Sequence, residues 1–479
     1  MSSKIVVSSH LNQVLVAIIE DERLAEVYLE SEHHHRTVGN IYNGRVENVL
    51  RGMDASFVDI GLERNAFLYV GDVKPGRTRK TITQLVHKGD KLPVQVVKEP
   101  EGTKGARVIG KITIPGRYLV LLPMENQLGI SRKITNSQER ARLQTIADAV
   151  RPEGMGLIVR TVASGASEKE LRRDCRYLLQ LWEEVKERME KQEAPSLVYQ
   201  DHDLVYRIVR DLLTESTEEV LVDDKRIYNR MTNLVKRMRI SPAVPIHLYK
   251  GRTALFTQVG IEKDLERATN SRVWLDSGGY LIIDPTEALT CIDVNTGKYV
   301  GKKSLKQTVV KTNLEAAEEI ARQLRLRNIG GIVIIDFIDM EEDKEREMVV
   351  ETLKRALSLD KTKSHVLGFT QLGLVEMTRK KSKTVLANML ETDCPHCSGT
   401  GRVPLDDAVA FTAAQKLAAM AREQDVKRIV VRCHPAVGEL LKPIKQRIRK
   451  PLEVTNEASL DRDYVEIVPQ AAIDNPDRK

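Results

Sequence analysis

The sequence predicts a multidomain α/β protein made of several sheets, one of them a small barrel. Three observations lead there. At 479 residues the chain exceeds one ordinary core, and about 150 residues per domain implies roughly three domains. Between Gly39 and Pro115, short alternating strand patterns recur between turn residues: NIYNGRVENVL, DASFVDIG, NAFLYVGDV and KGDKLPVQVVKEP. That spacing argues for a small barrel or sandwich. Beyond residue 279, apolar strand-like runs flank a stretch with helical spacing, the pattern of a sheet covered by helices.

In chain order, the first residues show short apolar pairs broken by polar ones, a hairpin pattern without a charged start, apolar block and cleavage site. After the barrel-like stretch, GRYLVLLP and GLIVRTVASG read as strands, with SQERARLQTIADAV as a helix between them. A long amphipathic helix then opens on a capping box at Ser167 and Glu170 and closes before Pro195. VPIHLYKG and IEKDLERATNS read as a strand and a helix. YLIIDP and ALTCIDVN are buried-looking strands, followed by the helical TVVKTNLEAAEEIARQLRLRN, expected to stop at Gly330 and Gly331. IVIIDFID is a continuous apolar strand of the kind found inside a mixed or parallel sheet. The last 75 or so residues read as a small α/β domain. No internal repeat and no low-complexity tail is present.

Composition narrows the class. Hydrophobic residues make up 41% and charged residues 30%, and no run approaches the roughly 18 apolar residues needed to span a bilayer, so a soluble protein with no membrane partner is expected. Five cysteines, odd in number and mostly isolated, argue against a disulfide framework and for a reducing cytoplasm. A net charge of +7 favours a polyanionic partner without identifying one. His33, His34 and His35 sit in a turn-like stretch and read as surface.

In ALTCIDVNTGK, residues two apart share a strand face, so Asp293 and Asn295 point together while Val294 points into the core. Asp336 ends the apolar IVII run, where a carboxylate is costly unless paired or bound to a cation. Carboxylates from two strand ends with an amide beside them suit Mg²⁺, which takes few protein ligands and keeps several waters. Asp339 is an alternative or supporting ligand. The competing reading is that these acids cap turns or pair with basic side chains.

In the barrel-like stretch, Val58 and Ile60 share one face, leaving Phe57 with Asp59. Ala66 and Leu68 leave Phe67 with Asn65 and Tyr69. Phenylalanines on a polar face would make a stacking platform for unpaired bases in an OB-like barrel. The alternative is ordinary surface aromatics or an inverted face assignment. Lys104, Arg107 and the Arg379-Lys380-Lys381 run could contact phosphates or simply be solvated charges. Cys394-Pro395-His396-Cys397 and the glycines after it have the form of a zinc knuckle. With no second CxxC in the chain, His396, Cys433 or His434 completes the four ligands, or a second copy donates an identical pair. A redox CxxC is the rival.

Together these motifs resemble the ribonuclease E/G family over essentially the whole chain. The most specific stretches are SFVDIGLERNAFL, GRYLVLLP, GLIVRT, IDVNTG, TNLEAAEEIARQLRLRNIGGIVIIDFIDM, GLVEMTRKK and CPHCSGTG. The resemblance implies an RNase H-like domain (1–38 with 206–270) interrupted by an OB-fold RNA-binding domain (39–115) and a 5′-sensor domain (116–205). A DNase I-like catalytic domain (271–390), a zinc link (391–405) and a small dimerisation domain (406–479) follow. It implies a magnesium-dependent endoribonuclease that hydrolyses internal phosphodiesters of single-stranded, A/U-rich RNA in rRNA and tRNA processing and mRNA decay, leaving 5′-phosphate ends. The family's catalytic positions fall on Asp293, Asn295 and Asp336, and its RNA-gripping positions on Phe57, Phe67 and Lys104. The 5′-monophosphate pocket falls on Gly116, Val120, Arg160 and Thr161. Lys363 stands where better-known members carry arginine, a point charge replacing a bidentate fork. Cys394 and Cys397 are the structural zinc ligands shared between subunits of a homodimer or dimer of dimers. The architecture resembles the shorter ribonuclease G branch, with no extension to scaffold a degradation complex. A non-catalytic OB-fold RNA-binding regulator, or a phosphoesterase acting on DNA or nucleotides, is the alternative.

Overall fold

The structure, a computed structural model, describes residues 3–31, 36–74, 80–100, 104–214, 216–240, 244–297, 305–381, 384–424 and 426–471. The histidine triplet at 33–35 lies outside the described residues. The chain divides into two compact units, residues 1–389 and 390–479. It is a mixed α/β protein with several sheets and a small barrel, and no described helix is long and apolar enough to cross a membrane.

In the first unit, the expected N-terminal hairpin, Ser3–His10 with Gln13–Glu20, extends through Arg23–Ser31. Ser3–His10 also pairs in parallel with Thr217–Val222, which pairs with Ile246–Leu248. Both faces of this sheet are covered. Ile5, Val7 and Val16 pack with Ile208, Val209 and Met231, while Val6, Ala17 and Ile19 pack with Leu255, Ile261 and Leu326. This double burial explains why these strands show apolar blocks instead of clean alternation.

The barrel-like stretch forms a six-stranded sheet that closes on itself by pairing Ile41–Leu50 with Lys91–Lys98. Its sixth strand, Ser196–Tyr199, returns after the long helix to pair with Ile41–Leu50. Between these strands in sequence, four short strands carry helices Ser137–Val150 and Glu168–Lys191 over one core. The longer helix has the capping box read from Ser167 and Glu170.

A second six-stranded sheet positions the carboxylates. Its order is Arg272–Trp274, Tyr280–Pro285, Leu289–Asn295, Gly331–Asp336, Val375–Arg379 and Ser364–Phe369. Leu289–Asn295 and Gly331–Asp336 run parallel, and the other pairs are antiparallel. Helices Leu305–Leu326 and Asp343–Leu357 pack on one face through Ala316, Ala317, Ile320, Leu324, Val349 and Leu353. The IVIID run is therefore buried on one side only. Val333 and Ile335 enter the core, while Ile332 is half exposed.

The helix before this strand stops differently from the glycine stop expected. Asn328 takes the left-handed conformation, with φ of 53°, which asparagine tolerates better than most side chains. Gly330 serves close approach instead: a Cβ there would lie 2.9 Å from the Cα of Lys381.

Arg379, read from sequence as part of a phosphate-contacting run, is buried and bonds Asp360 at 2.6 Å and the Ile329 carbonyl at 2.6 Å. Apolar neighbours on its strand draw it inward, so it serves the core instead of solvent.

The second unit has a three-stranded sheet, Leu452–Asn456, Val426–Cys433 and Val465–Ala471, with helices Asp406–Met420 and Pro435–Leu441. Ala413, Leu417, Val431 and Val437 form its core.

Asp360 and Arg379 form a buried ion pair, so removing one partner strands the other. Arg379→Ala is expected to cost about 3–5 kcal/mol, measured as a lowered urea midpoint for unfolding.

Candidate active site

The two aspartates singled out in the sequence are register partners. Asp293 on Leu289–Asn295 lies directly across from Asp336 on the parallel strand Gly331–Asp336. Ile292, Val294, Val333 and Ile335 alternate with them and enter the core, so both carboxylates project from the helix-free face, where both are exposed. Asn295 shares that face and donates its side-chain N–H to Asp293 Oδ2 at 2.8 Å. Burial, followed by the nearby carboxylates of Asp293 and Asp339, pushes the Asp336 carboxyl above its ordinary value.

Asp293 and Asp339 both repel the Asp336 carboxylate, and a divalent cation relieves that repulsion. The donors are hard oxygens, with an amide oxygen alongside, as Mg²⁺ requires. The residues present fit such an ion.

The backbone beyond Asp336 is held by a residue that sequence reasoning passed over. Asn313, fully buried on the helix Leu305–Leu326, donates its amide N–H to the Ile338 carbonyl at 2.8 Å and accepts the Ile338 N–H at 3.1 Å. Ile338 lies between Asp336 and Asp339, so this clamp sets where both acids leave the sheet. A polar residue amid helical apolar spacing was the available signal.

Residues 113–382 match the Ribonuclease E/G family. Ribonuclease G of Haemophilus influenzae is 40% identical over 477 residues, covering 95% of this chain and 97% of that protein. The chain belongs to the Ribonuclease E/G family. Ribonuclease G of Escherichia coli K12 is 40% identical over 453 residues, covering 92% of this chain and 93% of its own. Ribonuclease E of a Nostoc species is 40% identical over 394 residues, covering 81% of this chain and 57% of that protein.

The remaining candidate residues of this Ribonuclease E/G family chain fall into three groups. In the barrel, Phe57 and Phe67 are register partners on adjacent strands, with their rings edge to face and centroids 6.1 Å apart. Val58 and Ile60 are buried and both phenylalanines are partly exposed, as their face assignment requires. Arg107 lies in register with Phe67 but bonds Asp72 at 2.8 Å. Lys104 is exposed.

The second group surrounds Gly116. A Cβ there would lie 2.6 Å from Asp174 Oδ2, whose carboxylate accepts the backbone N–H groups of Arg117, Tyr118 and Leu119. Arg160 donates to the Gly116 carbonyl and pairs with Asp211 at 2.6 Å. Val120 is in register with Ile158 on the neighbouring strand. The Thr161 hydroxyl lies 2.8 Å from that of Ser131. Lys133, close by in the chain, donates to the Asp360 carbonyl at 3.1 Å, and Lys363 stands three residues later. Ser131, Lys133, Asp174 and Asp211 belong to this neighbourhood only through tertiary pairing, so sequence could not single them out.

The third group is in the second unit. Gly401 N–H donates to Cys397 Sγ at 3.3 Å. The backbone N–H of Cys397, then that of His396 and the Cys397 thiol, hold the Cys394 thiol below its ordinary value. Backbone amides aimed at sulfur favour thiolates, and the knuckle fits a zinc ion. Cys433 is buried in the small core, and His434 Nδ1 caps the helix Pro435–Leu441 by accepting the Ala436 N–H. His396 faces Asp461 at 3.2 Å, with Asp463 nearby. Among the described residues, the two thiols therefore have no third cysteine at hand.

Asn313→Ala would leave both polar groups of Ile338 without their partner. The expected loss is about 1–3 kcal/mol of stability per buried group left unsatisfied, read by urea denaturation. Asn313→Asp keeps the acceptor and should recover part of that loss.

Proposed function

We propose that the chain is a magnesium-dependent endoribonuclease acting on single-stranded RNA. The observation that carries this reading is the register pairing of Asp293 with Asp336 on an open sheet face, with Asn295 bonded to Asp293. Membership of the Ribonuclease E/G family, and relatives named Ribonuclease G that match almost end to end, support it.

Asp293 and Asp336 would hold the ion, and Asn295 orients the Asp293 carboxylate. Magnesium there supplies a Lewis acid for the scissile phosphate and lowers the pKa of bound water. Neither aspartate then has to act as the general base. Phe57 and Phe67 offer ring surface to unpaired bases and Lys104 a charge to the backbone. Gly116, Val120, Arg160 and Thr161, with Lys363, form the 5′-monophosphate pocket. Lys363 contributes a point charge where a guanidinium would fork, which weakens preference for monophosphorylated ends.

The proposed segments are the RNase H-like domain of 1–38 and 206–270, the OB-fold of 39–115, the 5′-sensor of 116–205 and the DNase I-like domain of 271–390. Residues 391–405 would be the zinc link and 406–479 the dimerisation domain. Cys394 and Cys397 supply half of a four-sulfur zinc site, so two copies complete it, giving a homodimer or dimer of dimers. The expected setting is cytoplasmic rRNA and tRNA processing and mRNA decay, on A/U-rich segments, leaving 5′-phosphate ends.

Asp293→Asn and Asp336→Asn are each expected to abolish magnesium-dependent cleavage of an unstructured RNA oligomer while RNA affinity stays within about twofold, since neither residue is in the stacking surface. Wild-type turnover in either variant at saturating magnesium would overturn the assignment. Absence of cleavage by the unaltered protein, with salt-sensitive RNA binding intact, would point instead to a non-catalytic binding protein. Equal cleavage of the matched DNA oligomer would point to a general phosphoesterase. A 5′-monophosphate oligomer should be cut faster than its 5′-hydroxyl counterpart.

For the link, Cys394→Ser should remove zinc and lower oligomer order. The checks are zinc content and mass by light scattering.

A further inference from the structure

The open face that carries the carboxylates also carries aromatic and cationic side chains that nothing in the fold requires. The edge strand Arg272–Trp274 and its neighbour Tyr280–Pro285 continue the two rows of register that contain the site. Trp274 pairs with Tyr280, which pairs with Asn295. Arg272 pairs with Ile282, which pairs with Asp293 and through it with Asp336.

Strand alternation fixes the side on which these residues stand. Val273, Leu281 and Ile283 pack with the helix-covered core, so Arg272, Trp274 and Tyr280 project with Asp293 and Asn295. Trp274 keeps 62% of its surface exposed. Its ring meets that of Tyr280 at 5.3 Å between centroids, and the Arg272 guanidinium lies 4.7 Å from the Tyr280 centroid. Arg272 has a ring partner and the three side chains form one connected surface. A single exposed aromatic would need no explanation. A tryptophan, a tyrosine and an arginine in register with the carboxylates are different, because stacking surfaces of this composition take nucleobases.

We propose that Trp274, Tyr280 and Arg272 form a base-stacking shelf that holds an unpaired base of the RNA strand whose phosphodiester lies at Asp293 and Asp336. This rests on the endoribonuclease reading. The shelf lies two strand spacings from Asp293, about 10 Å, so it receives a nucleotide close to the scissile bond. It is separate from the phenylalanine pair of the barrel. A stacked base on one side of the bond fixes the strand's direction across the carboxylates, which a phosphate contact alone would not do.

The chain has two tryptophans, and the other, Trp182, is buried in the core beneath the long helix. Tryptophan emission therefore separates the shelf from the rest of the molecule. The experiment titrates the full chain with an unstructured oligoribonucleotide in magnesium-free buffer, following RNA anisotropy and tryptophan emission together.

RNA is expected to quench the emission of the unaltered protein. Trp274→Phe should remove the quench and keep affinity within about twofold, and Trp274→Ala should weaken affinity about fivefold or more, the scale of one lost stacked base. Unchanged emission at RNA saturation, with unchanged affinity in Trp274→Ala, would overturn the shelf. Quenching without loss of affinity in Trp274→Ala would overturn it as well, because proximity alone produces that. If the quench and the affinity loss both appear but magnesium yields no cleavage, the shelf stands and the endoribonuclease reading fails.

Discussion

The helix Leu305–Leu326 is the constraint on which the carboxylate face depends. Its apolar stripe of Ala316, Ala317, Ile320 and Leu324 lies against the sheet that carries Asp293 and Asp336. Asn313 reaches from the same helix to hold Ile338 by both backbone groups. Near its other end Arg325 bonds Glu20 and Glu26, and Arg322 bonds the Leu24 carbonyl, all on the N-terminal sheet. One helix therefore indexes two sheets to each other and sets the loop from which two acids emerge. Small residues along its buried stripe allow close approach to the sheet, and the long basic side chains span the remaining gap.

Repulsion and support are balanced on the open face. Asp336 is pushed up by burial and by its acidic neighbours, while Asn295 gives Asp293 a fixed hydrogen bond. Apart from the buried Thr290, the core face of the same strands is apolar. The sheet thus separates its two duties by side-chain parity: alternate residues stabilise the fold, and those between them stay available for chemistry. A one-residue slip of Gly331–Asp336 would bury the carboxylate and expose the valine.

Much of this was legible in sequence, where the signal was local. The Ser167 capping box, the parity of Asp293 with Asn295, and the outward faces of Phe57 and Phe67 all follow from spacings of two or three residues. The Asn328 stop was harder, because Gly330 nearby is needed for close approach to Lys381, a contact between segments far apart in sequence. Arg379 looked like part of a basic run because its partner Asp360 is in no pattern with it. The neighbourhood of Gly116 depends on Asp174, Asp211, Ser131 and Lys133, drawn together by strand pairing and helix packing. Trp274 and Tyr280 were visible as residues, but their relation to Asp293 exists only once three strands are in register.

The parallel pairing of Ser3–His10 with Thr217–Val222 has a consequence for synthesis. The first strand of the chain waits for a partner more than 200 residues later. At about 5–20 residues per second, that interval lasts roughly ten to forty seconds. Throughout it, a strand rich in isoleucine and valine has one open edge, and such edges template association between chains. The early antiparallel neighbour Gln13–Glu20, itself paired with Arg23–Ser31, covers only the other side. The barrel and the sheet with its long helix are completed in the meantime, so the nascent chain carries finished domains on a first strand that is still half-paired. Its yield in a cell is therefore tied to how long that single edge stays open.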